Sequence, residues 1–376
     1  MKCDDEEQKR VHEMRIVRRA ARYLALLVSL SSLYFVATMY ELNPPMDQDH
    51  LIHRSSMSIR HLVMASESLS SLPISDSSYQ VTNDVPENQL LDLDNFLFLK
   101  NSSQVCSDEN PYIVTFVHSA PGNFFKRKVI RDTWASPKIC SKLKLKVIFI
   151  LGLTNDSMTE SRIDREYFKY NDIVQGNFID SYKNLTYKHL TGFKWITKFC
   201  NKATFVMKSD DDAFIDIFKI VSTLREMFDL QPDHRVPSGI LACSLFPDGT
   251  STKRDGKWAL TMTEYPNKTY PSYCSGIAYF LTPDVLVRLH VEANKKFSRN
   301  FLWIDDLFVT GILALSIKQS HQPLNFKFMY EPRRFRTWLD QKEVKTQPYL
   351  VGDIGDVSDW RSLMLKLWEK TKRAHF

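Results

Sequence analysis

The sequence predicts an α/β fold: a mostly parallel β-sheet flanked by helices, preceded by one N-terminal transmembrane helix and a flexible stem. Residues 112–117 and 145–151 are near-continuous apolar runs of strand length, as expected for parallel strands covered on both faces. Segments with helical spacing alternate with these runs, an order typical of parallel sheets. Residues 23–40 contain no charge and are just long enough to cross a bilayer as a helix.

The charges around the apolar span 23–40 predict its orientation. Four arginines lie between residues 15 and 22, whereas the 30 residues after the span contain only two. The positive-inside rule therefore predicts a cytosolic tail at residues 1–22 and a transmembrane signal anchor at 23–40, with the remaining chain in the lumen. A cleaved signal peptide is the alternative, but the span is long for one and no small-residue cleavage site follows it.

The composition changes after the span. Residues 41–104 contain ten serines between Ser55 and Ser78 and no sustained apolar periodicity, which predicts a flexible luminal stem. Residues 105–376 form a segment long enough for one large luminal domain, and the whole chain is 43% hydrophobic. The net charge of +6 is modest and no basic-aromatic platform is present, so no nucleic-acid partner is expected.

Cysteines and glycosylation sequences agree with a luminal domain. Five of the six cysteines follow the span, so at most two disulfides can form there. The sequence cannot assign the pairs; Cys106 with Cys140 is one candidate, because these residues flank the first predicted βα unit. Asn-x-Ser/Thr sequences provide N-glycosylation acceptors, if exposed, at Asn101, Asn155, Asn184 and Asn267.

The later elements follow from their residues. Thr282 and Pro283 predict the N-cap and first turn of a helix. The other predicted elements are helices at 124–134 and 186–199 and strands at 172–174, 204–207 and 276–281.

An acidic triplet, Asp210, Asp211 and Asp212, follows the predicted strand 204–207. Ligands of α/β sheets bind at the carboxyl ends of strands, and adjacent carboxylates repel one another unless a cation lies between them. Carboxylate oxygens suit hard ions such as Mg²⁺ or Mn²⁺. In an extended segment Asp210 and Asp212 would share one side, and Asp211 would point away. A solvated acidic turn or a helix N-cap is the alternative.

Six blocks of the chain resemble the β1,3-glycosyltransferases of glycosyltransferase family 31, which contains β1,3-galactosyl- and β1,3-N-acetylglucosaminyltransferases. The blocks occur in the family's order: RKVIRDTW (127–134), VIFILG (147–152), DIVQGNFIDSYKNLTYK (172–188), KSDDDAF (208–214), YPSYCSGIAY (270–279) and DDLFVTG (305–311). The resemblance implies a GT-A-type, Rossmann-like fold, a UDP-sugar donor, Mn²⁺ and inversion at the anomeric carbon. It also implies a single-pass type II protein of the Golgi membrane.

The resemblance assigns roles around the donor. Asp212 is the expected direct metal ligand, and Asp210 would bind the metal through water or hold the ribose. The predicted donor-binding residues are Arg127, Arg131, Asp180, Lys188, Asp210 and Asp211.

Two of these donor-side predictions have plain alternatives. Arg127 and Arg131 lie at i and i+4 and so share one helix face, where they could meet the nucleotide. A solvated basic face, to which Lys126 and Lys128 are assigned, explains the pattern equally well. Asp180 also suits a turn or a helix N-cap.

The second acidic pair, Asp305 and Asp306, meets a different requirement. An inverting transfer is a single displacement, so one carboxylate must accept the proton of the acceptor hydroxyl. The resemblance assigns this role to Asp306, with Asp305, where the family has Glu, placing the acceptor. A helix N-terminus enriched in acid is the alternative. The predicted acceptor or sugar site contains Tyr270, Tyr273, Gly276 and Trp303, although the first three also suit a turn that leads into a strand.

The chain departs from many relatives near its C-terminus. These relatives have a metal-ligating His shortly before a helix, whereas here the stretch offers only Asp353 and Asp356 as replacements. The remaining singled-out side chains are expected to be structural or core residues: His118, His189, His290, His321, Trp134 and Trp195.

Two classes of function follow. The first is a metal-dependent enzyme that moves galactose, GlcNAc or GalNAc to a glycan on a glycoprotein or glycolipid. The second is a catalytically inactive, glycosyltransferase-like membrane protein that binds sugars or partners. A Rossmann-type dehydrogenase is disfavoured because no G-x-G-x-x-G follows the strand at 112–117. The sequence leaves the donor sugar, the acceptor and the oligomeric state open, a homo-oligomer included.

Overall fold

The structure, a computed structural model, describes residues 97–107, 110–229, 237–295, 301–342, 348–355 and 357–376. Within these ranges, none of the helices has the length and hydrophobicity needed to span a membrane. The predicted tail 1–22, the predicted span 23–40, most of the predicted stem and Asp356 lie outside the described residues.

Strands and helices alternate through the first half of the described chain. The strands are β1 (Phe98–Lys100), β2 (Ile113–His118), β3 (Leu145–Leu153), β4 (Ile173–Ile179), β5 (Phe205–Asp210), β6 (Ala213–Ile215), β7 (Leu241–Phe246), β8 (Thr250–Ser251), β9 (Thr269–Tyr270), β10 (Tyr273–Leu281), β11 (Gln322–Pro323), β12 (Phe328–Met329) and β13 (Val351–Asp353). The α-helices are α1 (Phe124–Asp132), α2 (Pro137–Leu143), α3 (Ser157–Tyr170), α4 (Leu185–Phe199), α5 (Ile217–Leu224), α6 (Pro283–Ala293), α7 (Ala314–Ser316), α8 (Pro332–Asp340) and α9 (Trp360–His375). Arg225–Asp229 and Leu307–Leu313 are π-helical, and 3₁₀ turns occur at Ser103–Cys106, Tyr182–Asn184 and Asn325–Lys327.

The main sheet within the described residues has eight strands in the order β1-β4-β3-β2-β5-β10-β7-β11. Strands β4, β3, β2 and β5 run parallel, whereas β10 pairs antiparallel with both β5 and β7. The predicted α/β class is confirmed, but the sheet is mixed, both beyond β5 and at its other edge, where β1 pairs antiparallel with β4. The apolar pattern of residues 276–281 could not reveal this direction, because a strand buried on both faces reads alike in parallel and antiparallel sheets.

Alternate residues of the central strands supply the core on both faces of the sheet. Val114 and Phe116 of β2 belong to one buried cluster, whereas Ile113 and Val117 belong to another. This division follows from the two-residue period of a strand. The predicted core tryptophans, Trp134 and Trp195, are both buried, in agreement with the sequence.

The register of the strands brings the acidic turn to the carboxyl end of the sheet. His118, the last residue of β2, lies opposite Asp210, the last residue of β5. A small second sheet, in the order β12-β13-β6, begins directly after the acidic turn, and its pairing sets Asp353 opposite Ala213. The C-terminal segment therefore lies beside the triplet.

The folded domain begins before residue 105, where the predicted stem was expected to end. Strand β1 pairs antiparallel with β4 and forms the edge of the main sheet, and the Ser102 hydroxyl donates a 2.8 Å hydrogen bond to the Ile173 carbonyl. The indole of Trp195 donates to the Asn101 side chain at 2.9 Å. The contacts of this segment depend on backbone pairing and a few polar groups, and local sequence patterns do not reveal contacts of that kind.

The disulfides differ from the candidate pair. Cys106 is bonded to Cys200, and Cys243 to Cys274, while Cys140 is the free cysteine of the described residues. The Cys106–Cys140 pairing was wrong because the 3₁₀ turn that carries Cys106 lies against α4, which ends just before Cys200. Burial raises the pKa of the Cys140 thiol to about 11.

The four glycosylation sequences are not equally available. Asn155 and Asn267 are exposed. In contrast, the side-chain amide of Asn184 donates to the Ile179 carbonyl at 2.7 Å, and its sequence continues into a fully buried threonine. The Asn101 side chain accepts the indole hydrogen bond described above. The side chains of Asn184 and Asn101 are therefore engaged in the fold, whereas those of Asn155 and Asn267 meet the condition of exposure on which the expectation depends.

We predict that Asn155→Gln and Asn267→Gln each remove one glycan from the full-length protein made in eukaryotic cells. Asn101→Gln and Asn184→Gln are expected to leave the glycan mass unchanged, because their side chains are engaged. Gel mobility before and after glycosidase treatment measures this difference. A protein with no glycosidase-sensitive mass would contradict the luminal placement of the domain.

Candidate active site

The acidic triplet forms a turn between β5 and β6, not a continuous extended segment. Asp211 is buried, and its Oδ2 accepts hydrogen bonds from Ser119 Oγ at 2.7 Å and Asn123 Nδ2 at 2.9 Å. The side chains of Asp210 and Asp212 remain 39% and 37% exposed. Side chains do not alternate in a turn as they do in an extended strand. Asp211 anchors the loop after β2 through these two contacts, and its expected donor-binding role stays a prediction.

Lys126 belongs to this site and not to a solvated face. Its Nζ lies 3.0 Å from an Asp212 oxygen and 3.4 Å from an Asp211 oxygen. Burial opposes the charge of Lys126, but the two carboxylates raise its pKa. The ammonium group thus balances negative charge between two aspartates. Lys128 alone follows the expectation, since it is half-exposed and pairs with Asp132.

Arg127 is completely buried, and all five of its N–H groups have acceptors. Its Nε and Nη2 bind the Glu166 carboxylate at 2.6 to 3.1 Å, and Nη1 donates to Ser119 Oγ and the Ala120 carbonyl. Nη2 also reaches the Pro121 carbonyl at 3.1 Å. Direct contact with a nucleotide, as the sequence predicted, is excluded in this conformation. Arg127 instead shapes the loop that binds Asp211.

Arg131 completes the same ion-pair network. Its Nη1 lies 2.5 Å from Glu166, and its Nε and Nη2 each lie 2.7 Å from the Asp172 carboxylate. Its guanidinium also covers the ring of Tyr170, with 4.1 Å to the centroid. Arg127 and Arg131 do share one face of α1, as their i,i+4 spacing predicted. That face lies against Glu166 of α3. Arg131 is thus engaged within the protein, and its predicted donor contact stays a prediction.

Asp180 and Lys188, both predicted near the donor, form a buried pair. Lys188 Nζ donates to Asp180 Oδ1 at 2.8 Å and to the Ser119 carbonyl at 2.9 Å. The other Asp180 oxygen accepts the Gly152 amide at 2.7 Å. These contacts join the ends of β2, β3 and β4 at the edge of the sheet where the triplet lies.

Lys208 links the acidic turn to the second acidic pair. This fully buried lysine lies 2.5 Å from an Asp210 oxygen and donates to the carbonyl of Gly276. The amide of Gly276 in turn donates to Asp306 Oδ2 at 3.0 Å. A Cβ on Gly276 would lie only 3.0 Å from that oxygen, so glycine permits this approach. Lys208 lies in the matching block 208–214, but nothing in the sequence around it indicates this double contact.

Asp306 combines a capping role with an accessible carboxylate. Its Oδ1 accepts the Leu307 amide at 2.8 Å at the start of the π-helix, and the side chain is partly exposed. Burial and the charge of Asp305 raise the pKa of Asp306 to about 7. The alternative that Asp306 is only an acid at a helix N-terminus thus explains its contact with Leu307. A carboxylate with a pKa near neutral pH also suits proton transfer.

Asp305 is buried in a different environment. Its Oδ2 lies 2.7 Å from His189 Nδ1 and 3.6 Å from His118 Nδ1. Burial opposes the charge, but the hydrogen bond from His189 and the nearby Lys208 hold the pKa of Asp305 well below its usual range. No sequence spacing indicated this cluster, because its members come from three distant segments.

The predicted sugar-site aromatics lie near Asp306. Tyr270 is buried and packs edge-on against Tyr273, whose pKa is raised by burial and by the charge of Asp306. Trp303 stacks on Trp258, with ring centroids 5.7 Å apart. The sequence did not single out Trp258, which comes from the long connection between β8 and β9.

Asp353 and the start of α9 border the triplet. Asp353 is partly buried, and its Oδ1 accepts the Gly355 amide at 2.8 Å. The indole of Trp360 is directed at the Asp212 carbonyl at 3.4 Å, and Lys126 lies over the Trp360 ring. Of the two carboxylates considered as replacements for histidine, Asp353 is the one that the structure describes.

A galactosyltransferase family model matches residues 125–325, which is more than half of the chain and includes both acidic groups. The chain belongs to the galactosyltransferase family. Beta-1,3-galactosyltransferase 5 of Pan paniscus is 32% identical over 212 residues, covering 56% of this chain and 67% of the relative. Beta-1,3-galactosyltransferase 2 of Homo sapiens is 30% identical over 209 residues, covering 52% and 49%. The resemblance read from six sequence blocks is confirmed.

The solved structure of a glycosyltransferase involved in the glycosylation of the major capsid of PBCV-1 is similar to this galactosyltransferase-family chain. The match covers 70% of this chain and 99% of the solved chain. Its sequence identity is 8% and its TM-score 0.34, a level at which individual positions cannot be equated.

We predict that Arg127→Met lowers the free energy of unfolding by about 3–5 kcal/mol, because it leaves buried Glu166 without its partner. Lys128→Met, on the exposed side of the same helix, should change it by about 0.5 kcal/mol or less. Thermal unfolding of both variants measures the difference. Unchanged stability together with lost UDP binding would make Arg127 a direct nucleotide ligand.

Proposed function

We propose that this chain is an inverting β1,3-glycosyltransferase that moves galactose, GlcNAc or GalNAc from a UDP-sugar to a glycan on a glycoprotein or glycolipid. The family membership and the two relatives named beta-1,3-galactosyltransferase support the reaction class. The observation that carries the proposal is a chain of contacts from Asp210 through Lys208 and Gly276 to Asp306. It connects an acidic turn of the kind that binds metal ions to a partly exposed carboxylate.

Asp306 is the proposed base. The acceptor hydroxyl oxygen forms a bond to the anomeric carbon while the bond from that carbon to the UDP oxygen breaks. The hydroxyl proton passes to Asp306, and UDP leaves with the electron pair of the broken bond. A carboxylate with a pKa of about 7 is a strong enough base for this transfer and is largely ionised just above neutral pH.

The acidic turn fits a divalent cation. Asp212 and Asp210 offer partly exposed carboxylates, and Asp353 lies beside them, so the donor set is oxygen-rich and suits Mn²⁺. Burial and the charge of Asp212 raise the pKa of Asp210 to about 7, although the nearby Lys208 opposes the shift. When bound, the ion would neutralise the diphosphate of the leaving group.

The remaining residues are assigned by position. Asp180 and Lys188 are proposed to border the nucleotide, and Arg127 and Arg131 to support it only through the loop after β2. Tyr270, Tyr273, Gly276 and Trp303 are proposed to line the acceptor or sugar site, with Asp305 behind the base.

The cellular setting of the proposal comes from the sequence. We place the protein in the Golgi membrane as a single-pass type II protein, with residues 23–40 as anchor and the catalytic domain in the lumen. The chain alone leaves its oligomeric state open, so size measurement in detergent would distinguish a monomer from a homo-oligomer.

A catalytically inactive sugar-binding or partner-binding protein is the second candidate. Asp353 in place of histidine favours it, whereas the intact link from Asp210 to Asp306 favours turnover. Incubation of the full-length protein with UDP-Gal, UDP-GlcNAc or UDP-GalNAc and a panel of acceptors separates them. Acceptor-dependent release of UDP supports the enzyme; saturable UDP binding without release supports the binding protein.

We predict that transfer requires Mn²⁺ and that Asp212→Ala lowers it at least about 100-fold, since the diphosphate then lacks its cation. Stability should be kept or raised, because carboxylate repulsion is relieved. Asp132→Ala, which removes an exposed aspartate elsewhere, is the control. Full wild-type transfer in the presence of a chelator would overturn the metal assignment.

We further predict that Asp306→Asn lowers kcat by about 10²–10⁴-fold while UDP binding persists. In the wild type, kcat/KM should fall as the pH drops below about 7, because the raised pKa leaves Asp306 protonated and unable to accept a proton. Steady-state kinetics from pH 5 to 9 beside a UDP titration test both statements. Normal turnover by Asp306→Asn would move the base elsewhere.

A further inference from the structure

Asp305 lies in a buried polar cluster that the proposed reaction does not use directly. The cluster combines His118 from the end of β2, His189 from α4 and Tyr279 from β10 with Asp305, which precedes the π-helix. All four side chains are at least nine-tenths buried. A buried polar group is costly unless it has a partner, so the arrangement of these hydrogen bonds identifies what the cluster holds in place.

The hydrogen bonds of His189 have a single consistent direction. Burial lowers the pKa of His189, so the ring is neutral and has one N–H. The ionised Asp305 carboxylate can only accept, so the ring proton is on Nδ1 and is donated to Asp305 Oδ2 at 2.7 Å. Nε2 is then an acceptor, and the Tyr279 hydroxyl, whose pKa is raised well above its usual value by burial, donates to it.

The ring is also held sterically. Phe116 and Phe193 pack edge-on against His189, with centroids 5.4 and 4.9 Å away, and the Tyr279 ring lies nearly parallel to it with its centroid 5.7 Å away. These contacts exclude water, and hydrogen bonds are stronger in such a low-dielectric environment. The imidazole thus has one position and one tautomer.

A metal centre is the competing explanation of the cluster. One ligand atom from each of His118, His189 and Asp305 lies within 4.8 Å of the others. However, the charge of nearby Lys208 acts on both histidines and disfavours a further cation. The 2.7 Å contact from His189 to Asp305 is also a hydrogen-bond distance, whereas two ligands about 2.1 Å from one ion are usually farther apart.

We propose that His189 is a positioning residue for sugar transfer: backed by Tyr279, it holds Asp305 as a fixed buried anion next to the base Asp306. The inference rests on the proposed role of Asp306. The anion keeps the neighbouring base more basic than an isolated aspartate, because two adjacent carboxylates resist full ionisation. His189 acts through Asp305 and does not contact the substrate.

Other charged and titratable groups also face Asp306. Lys208 from β5 favours its ionised form, opposing Asp305, and several tyrosines lie within its electrostatic reach. Those tyrosines are Tyr270, Tyr273, Tyr279 and Tyr330. All remain protonated near neutral pH because their pKa values are raised, so Asp305 and Lys208 are the charges that set the basicity of Asp306.

The test is the pH dependence of kcat/KM for the full-length protein with Mn²⁺. Asp305→Asn removes the anion and should move the midpoint of the acidic limb down by about one pH unit. His189→Phe keeps the ring but loses the N–H, and should move the midpoint in the same direction and lower the plateau about tenfold. The double variant should be no worse than Asp305→Asn alone, since both changes remove one interaction.

Conservative variants separate positioning from folding. His189→Asn retains a side-chain N–H near the place of Nδ1 and should restore most of the midpoint. Tyr279→Phe, which removes only the backing hydroxyl, should give a smaller shift, while Tyr167→Phe, another tyrosine bonded to the fold, should give none. If His189→Phe does not fold, the Asn and Tyr279 variants still decide the question.

The outcomes are distinct. The proposal would be overturned if His189→Phe kept the wild-type midpoint and plateau while Asp306→Asn was inactive. If His189→Phe is unstable, the same result in Tyr279→Phe would overturn it. Stoichiometric metal bound by the Asp212→Ala variant, and lost when His189→Phe is added to that variant, would also overturn it in favour of a metal centre. Normal turnover by Asp306→Asn would instead remove the base assignment, and with it the basis of this inference.

Discussion

The buried ammonium group of Lys208 is the interaction on which the geometry of the site depends. It lies on β5, yet it bonds both to Asp210 at the acidic turn and to the Gly276 carbonyl on the neighbouring antiparallel strand. Burial disfavours its charge, but Asp210 and Asp305 raise its pKa. A buried lysine stays charged only with such partners, so the two acidic groups and this cation stabilise one another.

A second ionic network supports the same region from the opposite side. Burial works against the charge of Glu166, but the hydrogen bonds and charges of Arg127 and Arg131 lower its pKa, and Arg127 fixes the loop after β2. That loop bonds Asp211, so the middle aspartate of the triplet is immobilised while its neighbours stay accessible. Rigid support of this kind is what a catalytic constellation requires.

Much of the fold was readable from sequence, because strands β2, β3 and β5 and helices α1 and α4 carry strong local patterns. Pairing direction, disulfide partners and the start of the domain were not, since each depends on contacts between distant segments. The same limit applies to the site. Asp210, Asp212 and Asp306 were proposed as site residues from their motifs, whereas the contacts of Lys208 and His189 depend on partners on other elements. For Arg127 the motif was recognised, but the sequence did not indicate that its side chain is completely buried.

The link through Gly276 has a consequence for recombining this chain with its relatives. Residue 276 cannot carry a side chain without displacing the carboxylate of Asp306, and its carbonyl is bound by a lysine 68 positions earlier. Strands β5 and β10 therefore need to come from the same parent, although a long stretch of chain separates them. A chimaera with a single crossover between these strands would join halves from different parents at their most constrained contact. Exchange of the surface connections alone would leave that pair of strands intact.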